Sequence, residues 1–241
     1  MNYKTIYEKQ YAEKKLVSVS QKQFLGLRRL LSKYDIDRND IAQQSVDSGD
    51  KILEVGCGNG NMLLRLSDKF NELYGLDVAS SRLKEAEINI KETSPKELHK
   101  FRFIEGNADD SLPFNNDFFD AVVSIATIEH VYDIFYLVKE MYRVLKPGGF
   151  LIAEVPNIAY LRHRLHLLFG KLPVTSSPYN WMEIGWDGGH IHYFTQTTFC
   201  RLLEECGFKV IKVSGSGFLA KFRSFYHSLL TGDICVKAKK E

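Results

Sequence analysis

Short apolar runs separated by segments of helical periodicity repeat along the chain from residue 51 onward. Five of these runs have the length and the aliphatic or aromatic content of buried strands. They span 51–55, 72–78, 100–106, 118–125 and 150–155. Alternation of such strands with helices predicts an α/β domain built on a mostly parallel sheet.

The pattern changes towards the C-terminus. Thr195 is placed to cap a helix that runs to Cys206 and stops at Gly207. Residues 208–213 and 234–238 then alternate apolar with polar positions, as antiparallel strands do. The predicted fold is therefore a Rossmann-like three-layer α/β sandwich, with a seven-stranded, mostly parallel sheet and an antiparallel last strand.

The first 48 residues are polar and carry an apolar stripe at helical spacing, which predicts a helical extension to a domain at 49–241. Tyr3, Tyr7 and Tyr11 recur every four residues and would share one face of a helix. That face has two interpretations, packing on the domain or a lid over a ligand site, and the sequence leaves both open.

Composition narrows the class of protein. With 241 residues, 44% of them hydrophobic, the chain has enough material for one elaborated domain. A net charge of +2 is too small to indicate a nucleic-acid-binding protein, which typically carries a large excess of positive charge. The four cysteines form no Cys-x-x-Cys pair, and no run approaches the roughly 18 apolar residues of a membrane span. We expect a cytoplasmic monomer or homodimer without nucleic-acid partners.

Three glycines at alternate positions, Gly56, Gly58 and Gly60, separate the first strand from a helix expected at 62–70. Such a loop lets the main chain approach a ligand closely. A dinucleotide fingerprint would need a further glycine where Asn61 stands, which weakens a pyrophosphate interpretation.

Glu54-x-Gly56-x-Gly58-x-Gly60 resembles motif I of the class I S-adenosylmethionine-dependent methyltransferases. In that family the glycines pass under the cofactor and the acidic residue supports its methionine end. The resemblance implies that this loop binds S-adenosylmethionine. The residues concerned are Glu54, Gly56, Cys57, Gly58 and Gly60.

Acidic residues also follow the second and third strands. A carboxylate at Asp77 can accept hydrogen bonds from both hydroxyls of a ribose. The resemblance places Asp109 at the adenine amino group, with Asp110 as the adjacent alternative. Glu129-His130 after the fourth strand is similar to a motif of the ubiquinone-type small-molecule methyltransferases. The cofactor-binding residues implied at these strand ends are Asp77, Val78, Asn107, Ala108, Asp109, Ser124, Ile125, Glu129 and His130.

About forty residues, 156–194, separate the fifth strand from the last helix, far more than ordinary α/β loops contain. Because the segment is aromatic and basic, we predict that it shapes the acceptor pocket; packing is an equally good interpretation of its tryptophans. The acceptor or lid candidates are Tyr7, Tyr11, Tyr160, Arg164, Trp181, Trp186 and Tyr193.

His190 and His192 lie at the end of this insertion and are candidate general bases for a hydroxyl acceptor. Two residues apart on a strand, their rings would share a face. A zinc site needs three or four ligands, and no cysteine or carboxylate partner is evident in the sequence, so no metal is predicted.

The resemblance implies an S-adenosylmethionine-dependent methyltransferase that acts on a small-molecule acceptor, by direct SN2 transfer to oxygen, with S-adenosylhomocysteine as the product. Two other hypotheses stay open. One is a non-catalytic, regulatory S-adenosylmethionine-binding module, against which the long aromatic insertion argues. The other is a nicotinamide dehydrogenase, which Asn61 and the antiparallel ending disfavour.

Overall fold

A computed structural model describes residues 37–176, 189–217 and 220–241. One seven-stranded sheet forms the centre of these ranges, in the order β3-β2-β1-β4-β5-β7-β6. Strands β1 to β5 are parallel, and β7 runs antiparallel to both β5 and β6. The strands are β1 Lys51–Val55, β2 Glu72–Asp77, β3 Phe101–Glu105, β4 Phe119–Ile125, β5 Leu145–Pro156, β6 Phe208–Ser216 and β7 Asp233–Lys240. The predicted seven-stranded, mostly parallel sheet is confirmed.

Helices connect these strands and cover both faces of the sheet. Within the described ranges none is long and apolar enough to cross a membrane. The α-helices are α1 Arg38–Ser45, α2 Asn61–Arg65, α3 Ser80–Thr93, α4 Ile134–Val144, α5 Leu161–Leu168, α6 Gln196–Glu205, α7 Ala220–Arg223 and α8 His227–Leu230. Short 3₁₀ turns lie at Pro95–Lys100, Ile128–His130 and Ser224–Tyr226.

The helix after the glycine loop is shorter than the predicted 62–70. It ends at Arg65 because the chain continues as a series of tight turns, in which Leu66 N donates to Leu63 O at 3.0 Å and Lys69 N donates to Leu66 O at 2.9 Å. These turns bury Phe70 in the same core cluster as Met62 and Leu63 of the helix. Apolar spacing alone does not distinguish a helix over 62–70 from a shorter helix followed by tight turns.

Two buried clusters lie on opposite faces of the sheet, because successive strand residues point to opposite sides. Leu53 on one face packs with side chains of α4 and α6, whereas Ile52 on the other packs with α1, α2 and α3. This arrangement confirms the three-layer sandwich. Ile41 and Ala42 of α1 belong to the core, so the part of the N-terminal extension that the structure describes is built into the domain.

A buried asparagine fixes the point at which the chain leaves β5 for the long insertion. The Asn157 side-chain amide donates to the carbonyl oxygens of Thr231 at 2.9 Å and Ser228 at 3.2 Å, and its oxygen accepts from Ala159 N at 3.0 Å. The far end of the insertion returns beside it, where Ile158 N donates to Phe194 O at 2.9 Å. The insertion therefore begins and ends at the carboxyl edge of the sheet.

Candidate functional site

The carboxyl ends of the parallel strands gather the predicted cofactor residues at one edge. In the register of the sheet, Val55 lies opposite Leu76, and Ile125 lies opposite Glu154. Open α/β sheets bind ligands in the crevice outside this edge. The predicted residues that follow β1, β2, β3 and β4 therefore lie along one side of the sheet, as the sequence indicates.

The glycine loop adopts a backbone conformation that residues with side chains rarely adopt. Gly56, Gly58 and Gly60 all have left-handed φ angles, of 76°, 52° and 72°. A Cβ at Gly56 would overlap the side chain of Thr127, and one at Gly60 would lie 3.1 Å from Ala86 Cβ. The loop is thus pressed between two neighbouring elements, and only glycine fits there.

Asp77 joins the end of β2 to the glycine loop. Its Oδ2 accepts from Gly58 N at 2.8 Å and its Oδ1 accepts from Ala79 N at 2.9 Å. Burial raises the pKa of this carboxyl, and the two backbone N–H groups oppose that rise. Each carboxylate oxygen has a second lone-pair site, so both can still accept a ligand hydroxyl.

Two buried polar atoms lie near the carboxyl ends of β1 and β4. Glu54 Oε2 on β1 and Ser124 Oγ on β4 have no hydrogen-bond partner among the residues that the structure describes. Burial raises the pKa of Glu54 well above its ordinary range, and the charge of Asp77 adds to the effect. Buried polar atoms of this kind are normally satisfied by water or by a bound polar ligand.

Of the two acidic residues after β3, Asp109 reaches the loop that follows β4. Its Oδ1 accepts from Tyr132 N at 2.6 Å, and its own N–H donates to Asn107 Oδ1 at 3.1 Å. The neighbouring Asp110 is exposed. Ala108 is partly buried against the core. These contacts hold the 107–109 turn beside the cofactor edge.

The end of the insertion is docked onto the turn after β4. The carbonyl oxygen of Glu129 accepts from Ile191 N at 3.0 Å and from His192 N at 3.2 Å. In return His130 Nδ1 lies 2.6 Å from the carbonyl oxygen of Gly189. The fold thus joins two motifs that the sequence treats as separate, the cofactor-side Glu129-His130 and the acceptor-side His190 and His192.

The two candidate bases have different surroundings. The His190 side chain is 6% exposed, and its Nε2 lies 3.8 Å from Glu129 Oε1. Its Nδ1 lies 2.7 Å from Thr175 Oγ1. His192 is partly exposed, and its Nε2 lies 3.2 Å from the carbonyl oxygen of Tyr132. The two rings contact different partners, and the segment that carries them is an irregular loop, not the strand for which a shared face was expected.

Glu129 is the carboxylate neighbour of His190 that the sequence did not reveal. Its side chain is fully buried, and neither oxygen has a hydrogen-bond partner among the described residues. Burial raises the pKa of Glu129 to about 8. The sequence did single out Glu129, but as a cofactor residue.

A second buried carboxylate, Glu154 on β5, was missed from the sequence. Both of its oxygens lack a hydrogen-bond partner within the described ranges, and Arg38 Nη1 lies 3.9 Å away. Burial raises the pKa of Glu154 well above its ordinary range, the charge of Asp233 adds to the rise and Arg38 opposes it. The available signal was a glutamate inside the apolar run at 150–155.

The remaining acceptor candidates are only partly placed. Tyr160 precedes α5, and its hydroxyl accepts from Arg223 Nη1 at 2.7 Å. Arg164 is exposed and donates through Nε to Ala159 O at 2.7 Å, while Tyr193 is 46% exposed. The other four candidates lie outside the described residues: Tyr7, Tyr11, Trp181 and Trp186.

Comparisons with known proteins agree with this geometry. Residues 53–153 match the family model described as a methyltransferase domain. A demethylmenaquinone methyltransferase from Geobacillus sp. (strain WCH70) is 32% identical over 157 residues, which is 59% of this chain and 65% of that protein. One from Listeria welshimeri is 33% identical over 188 residues, which is 71% of this chain and 76% of that protein.

Among solved structures, a SAM-dependent methyltransferase from Methanosarcina mazei superposes with a TM-score of 0.62 and 25% identity, over 86% of this chain and 98% of that one. The match to the family model covers the glycine loop and the strands that surround it. The chain belongs to the class I S-adenosylmethionine-dependent methyltransferase family.

Proposed function

We propose that this methyltransferase transfers a methyl group to an oxygen atom of a small aromatic or quinone-derived acceptor. The observation that carries the proposal is the partly exposed imidazole of His192, held beside the cofactor edge by the Tyr132 carbonyl. Transfer to a hydroxyl oxygen calls for a group that takes up its proton, and an imidazole performs this near neutral pH. The demethylmenaquinone methyltransferases among the relatives support an acceptor of the quinone class.

The residues at the strand ends fit S-adenosylmethionine, the cofactor of the family. We assign the glycine loop and Glu54 to its methionine end, Asp77 to its ribose and Asp109 to its adenine. The left-handed glycines let the main chain turn at the end of β1 without side chains, and the orphaned Glu54 Oε2 offers an acceptor or a proton to a polar ligand. When bound, the cofactor supplies an activated methyl group on a sulfonium ion.

The chain's own part in the reaction is alignment and proton uptake. Because the Tyr132 carbonyl oxygen can only accept, His192 Nε2 holds the proton of the neutral ring, and Nδ1 is its basic atom. The end of the insertion, which presents His192, is docked on the turn after β4 and would help to exclude water from the sheet edge. Positioning of the hydroxyl against the cofactor then supplies much of the rate enhancement.

A product analysis tests the proposal. Full-length protein is incubated with S-adenosylmethionine and a panel of naphthoquinols, catechols, simple phenols and sugars, and S-adenosylhomocysteine release is measured. We expect turnover with a phenol or quinol, and NMR of the product should show a methoxy group. A methyl group on carbon in that product, or no turnover of any phenol or quinol, would refute the proposal.

Methylation at carbon is the second candidate, because the relatives' names indicate a demethylated quinone as the acceptor. A C-methyl signal in the same NMR spectrum would establish it in place of O-methylation. The non-catalytic module, which family membership disfavours, requires S-adenosylmethionine binding without turnover of any acceptor in the panel. The predicted cytoplasmic location and the monomeric or dimeric state stay predictions.

A further inference from the structure

Three side chains with metal-binding atoms meet at the acceptor side of the sheet edge. Glu129, His130 and His190 each place one ligand atom within 4.8 Å of the other two. Two of these residues come from the turn after β4 and the third from the end of the insertion. Backbone hydrogen bonds from Ile191 and His192 to the Glu129 carbonyl oxygen hold the two segments together.

The histidine rings are oriented as metal ligands are. His130 Nδ1 lies 2.6 Å from the Gly189 carbonyl oxygen, so Nδ1 carries the proton and Nε2 carries the lone pair of the neutral ring. His190 Nδ1 is held by Thr175 Oγ1 at 2.7 Å, and its Nε2 points towards Glu129 at 3.8 Å. A hydrogen bond on one ring nitrogen, which leaves the other nitrogen for the metal, is typical of zinc-binding histidines.

The surrounding charges favour a cation at this point. The Glu129 carboxyl is buried and has no hydrogen-bond partner among the described residues, so it can ionise there only at a cost unless a cation compensates its charge. The charged groups whose fields reach it or its neighbour Glu154 are Asp233 and Arg38. Glu129, Glu154 and Asp233 are thus three acidic groups with one guanidinium near them, and that guanidinium, of Arg38, lies 3.9 Å from Glu154.

We propose that Glu129, His130 and His190 form a binding site for one divalent transition-metal ion, of which Zn²⁺ is the reference member. Two imidazoles and one carboxylate match the ligand set of open, three-ligand zinc sites. Mg²⁺ and Ca²⁺ prefer sites made of oxygen atoms, so we expect them to bind far more weakly.

The spacing is compatible with such an ion. Ligand atoms about 2.1 Å from a tetrahedral ion lie about 3.4 Å from one another. His190 Nε2 lies 3.8 Å from Glu129 Oε1, and all three ligand atoms lie within 4.8 Å of one another, so side-chain rotations must bring them closer to coordinate one ion. The fourth position stays open. If the proposed function holds, an acceptor oxygen occupies it, and the ion lowers the pKa of that hydroxyl for His192.

Metal titration of the full chain tests the site directly. Protein stripped with a chelator is titrated with Co²⁺, whose visible absorption reports tetrahedral coordination, and Zn²⁺ is then added in competition. We expect one Co²⁺ per chain, displaced by Zn²⁺. Glu129→Gln and His190→Ala should each weaken Co²⁺ binding at least tenfold. His99→Ala, on an exposed turn, should leave it unchanged, and so should His192→Ala.

The metal titration needs neither cofactor nor acceptor, so its outcome is independent of the proposed methyl transfer. Absence of saturable Co²⁺ binding to the unmodified protein would overturn the metal site. So would Co²⁺ binding by Glu129→Gln and His190→Ala that is as tight as binding by the unmodified protein. Circular dichroism confirms that both variants are folded. Saturable Co²⁺ binding by unmodified protein that methylates no acceptor would instead count against the proposed reaction.

Discussion

Asp77 Oδ2 accepts a hydrogen bond from Gly58 N at 2.8 Å, which couples the end of β2 to the centre of the glycine loop. The other oxygen accepts from Ala79 N, so the carboxylate meets one backbone N–H on each side. An amide side chain has only one acceptor oxygen, and its NH₂ group would face one of these donors. The site therefore needs an ionised carboxylate, although burial raises its pKa.

We predict that Asp77→Asn weakens S-adenosylhomocysteine binding by roughly 10- to 100-fold, the value of one charge-assisted hydrogen bond. Isothermal titration calorimetry measures the change. Asp110→Asn is the matched control, because that carboxylate is exposed, and its affinity should stay within about twofold of the unmodified protein. An equal loss in both variants would contradict the assignment of Asp77 to the ribose.

Gly56→Ala should lower the free energy of unfolding by about 3 kcal/mol or more. A Cβ there overlaps the Thr127 side chain, and the φ angle of 76° adds about 1 kcal/mol of backbone strain. Gly170→Ala is the control, since Gly170 has a similar φ of 68° but no atom within 4 Å of an added Cβ. Urea denaturation should show a loss of about 1 kcal/mol for Gly170→Ala. Similar losses in both would mean that the contact with Thr127 costs nothing.

His192→Ala and His190→Ala separate proton uptake from metal binding. With a hydroxyl acceptor, we expect His192→Ala to lower kcat at least tenfold, because the variant has no imidazole to take up the hydroxyl proton. Steady-state kinetics measure this change. His99→Ala, at an exposed position, should keep the kcat of the unmodified protein. A loss below tenfold in both His190→Ala and His192→Ala would dismiss a base role for either residue.

The cofactor half of the site is predictable because its signals are local. Apolar runs show where β1 and β2 end, and Glu54, Asp77 and the alternate glycines lie at those ends. Parallel strands present their carboxyl ends at one edge, so residues far apart in sequence are brought into line by topology alone.

The acceptor half depends on contacts that no local pattern encodes. The backbone bonds from Ile191 and His192 to Glu129 O bring His190 to a carboxylate that sequence reasoning assigns to the cofactor. The spacing of His190 and His192 indicates a shared face only if the segment is a strand. Here it is an irregular loop, in which the two rings contact different partners.

Glu154→Gln should stabilise the protein more at high pH than at low pH. The folded-state pKa of Glu154 lies well above its ordinary value of 4.5. Between pH 4.5 and the folded-state pKa, the native state therefore holds a proton that the unfolded chain has released. The free energy of unfolding therefore falls as pH rises above 4.5. Glutamine does not titrate, so the gain of Glu154→Gln over the unmodified protein should grow from about pH 5 to about pH 8 in urea denaturation. Glu87→Gln, on the exposed side of α3, should show no such trend.

Asn157→Asp should lower the free energy of unfolding by about 3 kcal/mol or more. The Asn157 amide donates to the carbonyl oxygens of Thr231 and Ser228, and a carboxylate in its place would bring negative charge against those acceptors in a buried site. Asn116→Asp is the control: its oxygen already accepts from Arg143 at an exposed position, so stability should change by less than about 0.5 kcal/mol. If Asn157→Asp unfolds at the same urea concentration as Asn116→Asp, the amide does not fix the start of the insertion.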